Sequence, residues 1–240
     1  MTSPRRRRWR RLLWLGLAAL AAWLAYEAWT WPDVAALARR NPTTTAYIEH
    51  YRRQQRAAGR DDRVFWTWTP YPEISAHVKR AVLVAEDINF FSHRGFELTE
   101  IRVTLEETLE EGELPRRGAS TITQQLARNL WLSPSRDPVR KLKEAILTWQ
   151  LERSLDKRRI LELYLDVAEF GRGLYGVGAA SRRYFGKPAA LLDRDEAAQL
   201  AASLPSPSHR YPGSGSRAYA RYVARIQRRM AKADFLWKQI

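Results

Sequence analysis

The chain of 240 residues contains no cysteine and only four histidines. The absence of cysteine excludes a disulfide framework, a thiolate nucleophile and a zinc site with cysteine ligands. The histidines, at positions 50, 77, 93 and 209, show no close ligand spacing such as HExxH, so zinc chemistry is disfavoured. No segment alternates apolar and polar residues for long, and apolar residues recur mostly at helical spacing. We therefore expect a mainly α protein.

Acidic residues are scarce compared with basic ones, and the formal net charge is +15. Six arginines lie in residues 1–11, which leaves 15 − 6 = +9 on the remainder. Residues 12–31 then form an apolar run whose only charge is Glu27, long enough as a helix (about 30 Å) to cross a bilayer. This pattern predicts a cytoplasmic basic leader, one transmembrane helix over 12–31 and an exported remainder. A cleaved signal peptide is the alternative, but the run is long for one.

The basic remainder requires an anionic partner. Nucleic acid is disfavoured because an exported domain rarely meets it. Anionic membrane lipids or a phosphorylated lipid substrate fit a tethered basic domain better. Residues 32–63 are predicted to be a juxtamembrane connector, and residues 64–240 the functional domain. Apolar periodicity predicts helices near 74–88, 97–111, 121–130, 138–155, 157–167, 175–184, 193–203 and 215–234.

Residues 81–95, AVLVAEDINFFSHRG, place two adjacent acids at the end of an apolar helix. Glu86 and Asp87 are followed at once by Phe90, Phe91 and His93. An apolar environment and a neighbouring acid both raise the pKa of a carboxyl group, which suits proton transfer. The alternative for this stretch alone is an ordinary solvated helix end.

Residues 117–130, RGASTITQQLARNL, contain a basic turn followed by a helix start. Thr121 and Gln124 have the capping-box spacing, and Gln125 and Arg128 follow on a polar face. Free backbone N–H groups beside Arg116 and Arg117 predict an anion site. An ordinary capped surface helix is the alternative.

Residues 139–159 combine an amphipathic helix with an excess of cations. Arg140 and Lys141 are spaced to flank Glu144, and the positive charge of the segment exceeds what its acids neutralise. This excess favours a bound phosphate or pyrophosphate, whereas a solvated salt-bridged helix is the common alternative. The opposite face is predicted to enter the core and carries Leu142, Ile146, Trp149 and Leu155. The glycines in residues 171–178 are predicted to serve tight turns and close backbone approach.

Five motifs in order carry a family resemblance: AVLVAEDINFFSHRGFE, RGASTITQQLARNL, RKLKEAILTWQLE, DKRRILELYLDVAEFGRGLYGVGAASRRYFGKP and EAAQLAASLPSP. Together they resemble the peptidoglycan glycosyltransferase family, which class A penicillin-binding proteins share with monofunctional biosynthetic transglycosylases. The resemblance covers roughly residues 64–230. It implies a lysozyme-like, mainly α domain with a small membrane-associated jaw, in the periplasm and anchored in the inner membrane. No SxxK penicillin-binding motif follows, so the monofunctional type is expected.

The resemblance also implies a reaction and roles for individual residues. Lipid II and a growing glycan chain would be joined into β-1,4 strands for cell-wall synthesis and cell shape, with inversion and release of undecaprenyl pyrophosphate. Two catalytic residues are implied: Glu86 matches the catalytic base and Glu144 the second family glutamate. Substrate-binding positions are matched by Asp87, Ser120, Thr121, Gln125, Arg128, Asn129, Arg140, Lys141 and Lys157.

The resemblance leaves cofactor and partners open. No cofactor is required by the sequence, but some family members place a divalent cation, Mg²⁺ or Mn²⁺, at the donor pyrophosphate. Other cell-wall synthesis or division proteins are further candidate partners. Three positions depart from the family pattern: Glu97 and Asp166 replace Asp and Asn at orienting positions, and Arg128 replaces Lys. The competing hypotheses are a lytic muramidase on the same fold and a basic binding module without catalysis.

Overall fold

The computed structural model describes residues 4–97, 120–135 and 137–240. The chain forms two compact units, Met1–Asp33 and Val34–Ile240. The first unit contains helix α1, Pro4–Trp29, in which Leu12–Trp29 is long and apolar enough to cross a membrane. The prediction of one N-terminal apolar helix is therefore confirmed.

The second unit is built mainly from helices, as the sequence predicts. Its α-helices are α2 Ala46–Ala57, α3 Ala76–Glu86, α4 Ile122–Trp131, α5 Pro138–Ser154, α6 Lys157–Val167, α7 Val177–Phe185, α8 Arg194–Ser203 and α9 Arg217–Met230. Short 3₁₀ turns lie at Ala35–Ala38, Tyr71–Glu73, Ala189–Leu191 and Asp234–Lys238. The helix predicted near 97–111 lies outside the described residues except for Glu97, which is not helical.

A small three-stranded sheet accompanies the helices, in the order β1-β3-β2. Strands β1 Phe65–Trp66 and β3 Leu174–Tyr175 run parallel, and β2 Glu169–Gly171 pairs with β3 antiparallel. The chain turns from β3 into α7 at Gly176, whose φ is +80°. A Cβ there would lie 2.9 Å from the backbone oxygen of Asp166, so this turn requires glycine. The predicted tight turn and close backbone approach are confirmed at this position.

The apolar core lies between α3, α4, α6 and α8. Val82, Leu126, Leu163 and Leu200, one from each helix, are fully buried. Each such side chain contributes about 1.5–3 kcal/mol through its removal from water. Helix α3 packs on α8 and α9, whereas α4 packs on α5 and α6. The hydrogen bond from the backbone N–H of Ile122 to Asp87 Oδ2 joins the C-terminal end of α3 to the N-terminal end of α4.

Helix α2 lies within residues 32–63, where the sequence predicts only a connector. Thr45 caps the helix by accepting a hydrogen bond from the backbone N–H of Ile48, at 3.1 Å. Ile48 is fully buried, and the helix packs against α4. The segment after the apolar run is therefore an integral part of the second unit.

The orientation of α5 differs from the prediction. Leu142, Ile146 and Trp149 are 63%, 40% and 55% exposed, so the prediction that they enter the core is wrong, although Leu155 is buried as expected. Helix α5 buries the opposite face, which carries Glu144, Leu147, Thr148 and Leu151. A carboxylate can face inward here because cationic side chains neutralise it.

Candidate active site

The first acid, Glu86, is the last residue of α3. The backbone N–H of Asp87 still bonds to Leu83, so the helix ends with both acids in place. Glu86 is half-buried, and this burial raises the pKa of its carboxyl group. The side-chain amide of Gln125 donates a hydrogen bond to Glu86 Oε2 at 2.9 Å, which partly offsets the increase. The result is a desolvated acid with one fixed donor, suited to accepting a proton.

Asp87 has a different environment and is almost fully buried. Its Oδ2 accepts the backbone N–H of Ile122, the first residue of α4, at 3.0 Å. Its Oδ1 accepts from His93 Nε2 at 2.9 Å, while His93 Nδ1 accepts the N–H of Gly95. Asp87 thus connects the end of α3 to the start of α4. A side-chain oxygen of Asp87, a ring nitrogen of His93 and a side-chain oxygen of Glu97 all lie within 4.8 Å of one another, a proximity that the sequence spacing did not reveal.

The start of α4 is the place where the sequence predicts an anion site. Thr121 forms the predicted capping box with Gln124, and its hydroxyl donates to the carbonyl of Gly95 at 2.7 Å. The N–H of Ile122 binds Asp87, so the carboxylate of the protein itself occupies this helix end. The predicted neighbours Arg116 and Arg117 lie outside the described residues. Ser120 contributes its carbonyl, which accepts from the Gln125 amide at 3.3 Å.

The second acid, Glu144, is fully buried on α5 and surrounded by cations. Arg140 donates to Glu144 Oε2 at 2.8 Å, Lys141 donates to Oε1, and an Arg128 guanidinium nitrogen lies 3.8 Å from Oε2. The Nε of Arg140 is buried without a partner among the described residues. Three cations against one carboxylate leave an excess of two positive charges.

A cavity of about 370 Å³ lies beside this cluster. It brings together Gln125, Arg128, Asn129 and Arg140 from the predicted site. The complete lining is Tyr47, Gln125, Arg128, Asn129, Pro134, Ser135, Arg140, Tyr164, Ala168, Glu169, Leu204, Pro205 and Pro207. The cavity is therefore cationic on the α4 and α5 side and reaches Glu86 through Gln125.

Nine of the thirteen lining residues were not among the predicted site residues, and Tyr47 and Glu169 are two of them. Tyr47, on α2, lines the cavity together with Arg128, and burial raises the pKa of its hydroxyl. Burial also raises the pKa of Glu169 to about 7, despite the hydrogen bond that its Oε1 accepts from Gly173. Tyr47 was missed because its segment was interpreted as a connector. Its apolar neighbour Ile48, which is buried in the structure, is the sequence signal for a packed helix.

Lys157 is not among the residues that line the cavity. Its Nζ donates to Glu152 Oε1 at 2.8 Å and lies 4.3 Å from the ring centre of Phe90. Glu152 also accepts from Thr123 on α4. Lys157 therefore lies next to Phe90 and binds Glu152, the α5 residue that also contacts α4.

The sequence model of the transglycosylase family matches residues 53–231. The chain belongs to the transglycosylase family. It is 44% identical over 220 residues to a biosynthetic peptidoglycan transglycosylase of Thiobacillus denitrificans, covering 90% of this chain and 94% of the relative. Relatives of the same description in Azoarcus sp. and Laribacter hongkongensis are 44% and 39% identical, and cover 92% and 91% of this chain and 96% and 97% of their own length.

Membership of the transglycosylase family makes the chain a glycosyl-transferring enzyme. The structure also shows the surroundings of Asp166 and Arg128, two of the positions that depart from the family pattern. Asp166 is fully buried; its Oδ1 accepts the N–H of Thr69 at 2.8 Å, and its Oδ2 finds no partner among the described residues. Burial raises the pKa of Asp166 to about 8, so the acid is neutral at pH 7, like the asparagine expected there. Arg128 uses its guanidinium to reach both Glu144 and Tyr47, which a compact ammonium does less readily.

The carboxylate at the cationic cluster does not fit a divalent cation. Both oxygens of Glu144 already face side-chain cations, and a metal ion would add to an excess of positive charge. Among the described residues, the groups that face Glu144 are the side chains of Arg128, Arg140 and Lys141.

Proposed function

We propose that this protein is a peptidoglycan transglycosylase that polymerises lipid II into β-1,4 glycan strands. The observation that carries the proposal is a desolvated carboxylate, Glu86, hydrogen-bonded to Gln125, which lines a cavity that also contains Arg128 and Arg140. Glycosyl transfer from a lipid pyrophosphate needs a base for the attacking hydroxyl and positive charge for the leaving group. A hydrolase would instead need an acid that protonates a poor leaving group.

In the proposed reaction, Glu86 removes the proton of the 4-hydroxyl of the acceptor sugar. The acceptor oxygen forms a bond to C1 of the donor as the bond from C1 to the pyrophosphate oxygen breaks. The electron pair of the broken bond stays on undecaprenyl pyrophosphate, which departs as an anion on the opposite face. The configuration at C1 is therefore inverted, from α in the precursor to β in the strand.

Arg128, Arg140 and Lys141 face the leaving group in this proposal. The unpartnered N–H of Arg140 supplies a donor that no protein acceptor uses among the described residues. Glu144 is fully buried, and its role is to hold these cations in place rather than to contact the sugar. Asn129 and Tyr47 line the same cavity and would contact the donor.

The exposed apolar stripe of α5 supports a site at the membrane surface. Val139, Leu142, Ile146 and Trp149 recur at helical spacing on one exposed face. We propose that this face contacts lipid, which suits a substrate that keeps its polyprenyl chain in the bilayer. With α1 as a single-pass anchor in the inner membrane, the catalytic unit would lie in the periplasm.

The test is polymer formation from labelled lipid II by the detergent-solubilised full chain. Wild-type protein and a Glu49→Gln control on the surface of α2 should yield polymer that a β-1,4-specific muramidase digests, together with free undecaprenyl pyrophosphate. Glu86→Gln should yield none while keeping the unfolding transition of the wild type. Equal polymer from wild type and Glu86→Gln would exclude Glu86 as the base. An absence of polymer from every variant would favour a binding module.

A further inference from the structure

Glu86 is the first member of a hydrogen-bonded chain that runs into the core. The Gln125 amide donates to Glu86 Oε2 at 2.9 Å, and Gln125 Oε1 accepts from the hydroxyl of Tyr164, also at 2.9 Å. Tyr164 lies on α6, is 1% exposed and interacts with Glu86 through Gln125. The sequence assigns this tyrosine only to the helical core.

We propose that Tyr164 is a positioning residue, which holds the Gln125 amide in the orientation that presents its N–H group to Glu86. This inference rests on the proposed function, because it concerns the base of that reaction. A glutamine amide can turn over and exchange its oxygen and nitrogen. The turned amide would direct its oxygen at the carboxylate of Glu86, which repels it.

Two partners select the observed orientation. The Ser120 carbonyl can only accept, and it lies 3.3 Å from Gln125 Nε2. On the other side, the Tyr164 hydroxyl supplies the donor that the amide oxygen needs. Without that hydroxyl the oxygen of Gln125 would lack this donor, a loss that typically costs about 1–3 kcal/mol at a buried site. The amide would then gain by tilting or turning away from Glu86.

The orientation of the amide affects proton transfer because it favours one charge state of Glu86. A donated N–H stabilises the ionised carboxylate, which is the form that removes a proton, and opposes the effect of burial on its pKa. Other described groups act on Glu86 from its own segment and from α4, α6 and α9: Asp87, Arg128, Tyr164, Tyr222 and Arg229. Helix α8, also packed on α3, presents buried alanines at 197, 198, 201 and 202.

The inference is tested by the pH dependence of kcat/KM for lipid II polymerisation. Tyr164→Phe removes one hydroxyl, and the acidic limb of the profile should move to higher pH by about half a unit or more, with activity recovering at high pH. That displacement lowers the rate about three-fold or more on the limb itself. Tyr175→Phe, which removes another buried hydroxyl on β3, should leave the limb in place.

A double-mutant cycle separates positioning from general packing. In a Gln125→Leu background, Tyr164→Phe should have no further effect on the limb, because Tyr164 acts through Gln125. A uniform fall at every pH, or an effect of the same size in both backgrounds, would overturn the inference.

Three further outcomes are decisive. If Tyr164→Phe does not fold, fluorotyrosine at position 164 replaces it: its more acidic hydroxyl is a stronger donor, so the limb should move to lower pH, and an unmoved limb would overturn the inference. If the wild type forms polymer and the acidic limb of the Tyr164 variant does not move relative to it, only the role of Tyr164 is refuted. No polymer from wild type at any pH refutes the proposed function, and the inference with it.

Discussion

The buried acid Asp166 makes the stability of the protein depend on pH, and Asp166→Asn tests this directly. The carboxyl of Asp166 has a pKa of about 8 in the folded chain, against an ordinary value of 3.8. Between these two values the folded chain keeps the proton and the unfolded chain has released it. The free energy of unfolding therefore falls as the pH rises through this range. The stability that the protonated Asp166 contributes is present in full only below pH 3.8.

The expected magnitude follows from the width of this range. One pH unit corresponds to about 1.4 kcal/mol for one group, so Asp166 lowers the stability of the wild type by about 4 kcal/mol between pH 5 and pH 8. Asparagine has nearly the same shape and cannot ionise. Any cost of placing its amide is the same at every pH, whereas the advantage over aspartate should grow by about 4 kcal/mol over this range.

Urea unfolding of the full chain in detergent, followed by tryptophan fluorescence, measures the difference at each pH. Trp66 is a local reporter, because its indole N–H donates to the backbone oxygen of Asp166 at 2.6 Å. Glu169→Gln is a comparison with a different expected range: its carboxyl has a pKa of about 7 in the folded chain, so the advantage of glutamine over glutamate should stop growing near pH 7, whereas that of Asp166→Asn should continue to grow toward pH 8. A constant offset between wild type and Asp166→Asn from pH 5 to pH 8 would refute the reasoning.

Three further predictions concern the cleft and its surroundings. Tyr47→Phe should raise the KM for the donor about three- to ten-fold by removing a hydroxyl from the cavity wall that also carries Arg128, and Tyr51→Phe, about one turn along α2, should not; equal effects would contradict the role of Tyr47. Thr121→Ala should lower the free energy of unfolding by about 1–2 kcal/mol in urea, and an unchanged midpoint would show that the cap is dispensable. A fluorophore on Trp149→Cys, in a chain without other cysteines, should be quenched by spin-labelled lipid in proteoliposomes; emission typical of water would exclude the lipid-facing stripe.

The sequence predicts those parts of the molecule whose signal is local. The apolar spacing of α3 and the capping box at Thr121 follow from short-range rules, and both are found in the structure. The pairing of Arg140 and Lys141 with Glu144 follows in the same way from helical geometry. The order of the five motifs, and the family resemblance that it carries, predicted the fold and the site residues, which composition alone could not do.

Features that depend on tertiary packing could not be predicted. The spacing in α5 identifies two faces but not which one is buried, and the face with Glu144 turned inward because its charge is neutralised. Tyr47 reaches the cleft only because α2 packs on α4. The helix start at Ile122 has the free N–H groups that predict an anion site, but Asp87, distant in sequence, binds there first.

The excess positive charge around Glu144 has a consequence for the kinetics after bond cleavage. Arg128, Arg140 and Lys141 outnumber the carboxylate by two charges, and these charges persist when the sugar has been transferred. If the proposed function holds, the groups that stabilise the departing pyrophosphate also retain it as a product. We expect its dissociation, rather than bond formation, to limit turnover, and added salt to accelerate this step by screening the attraction.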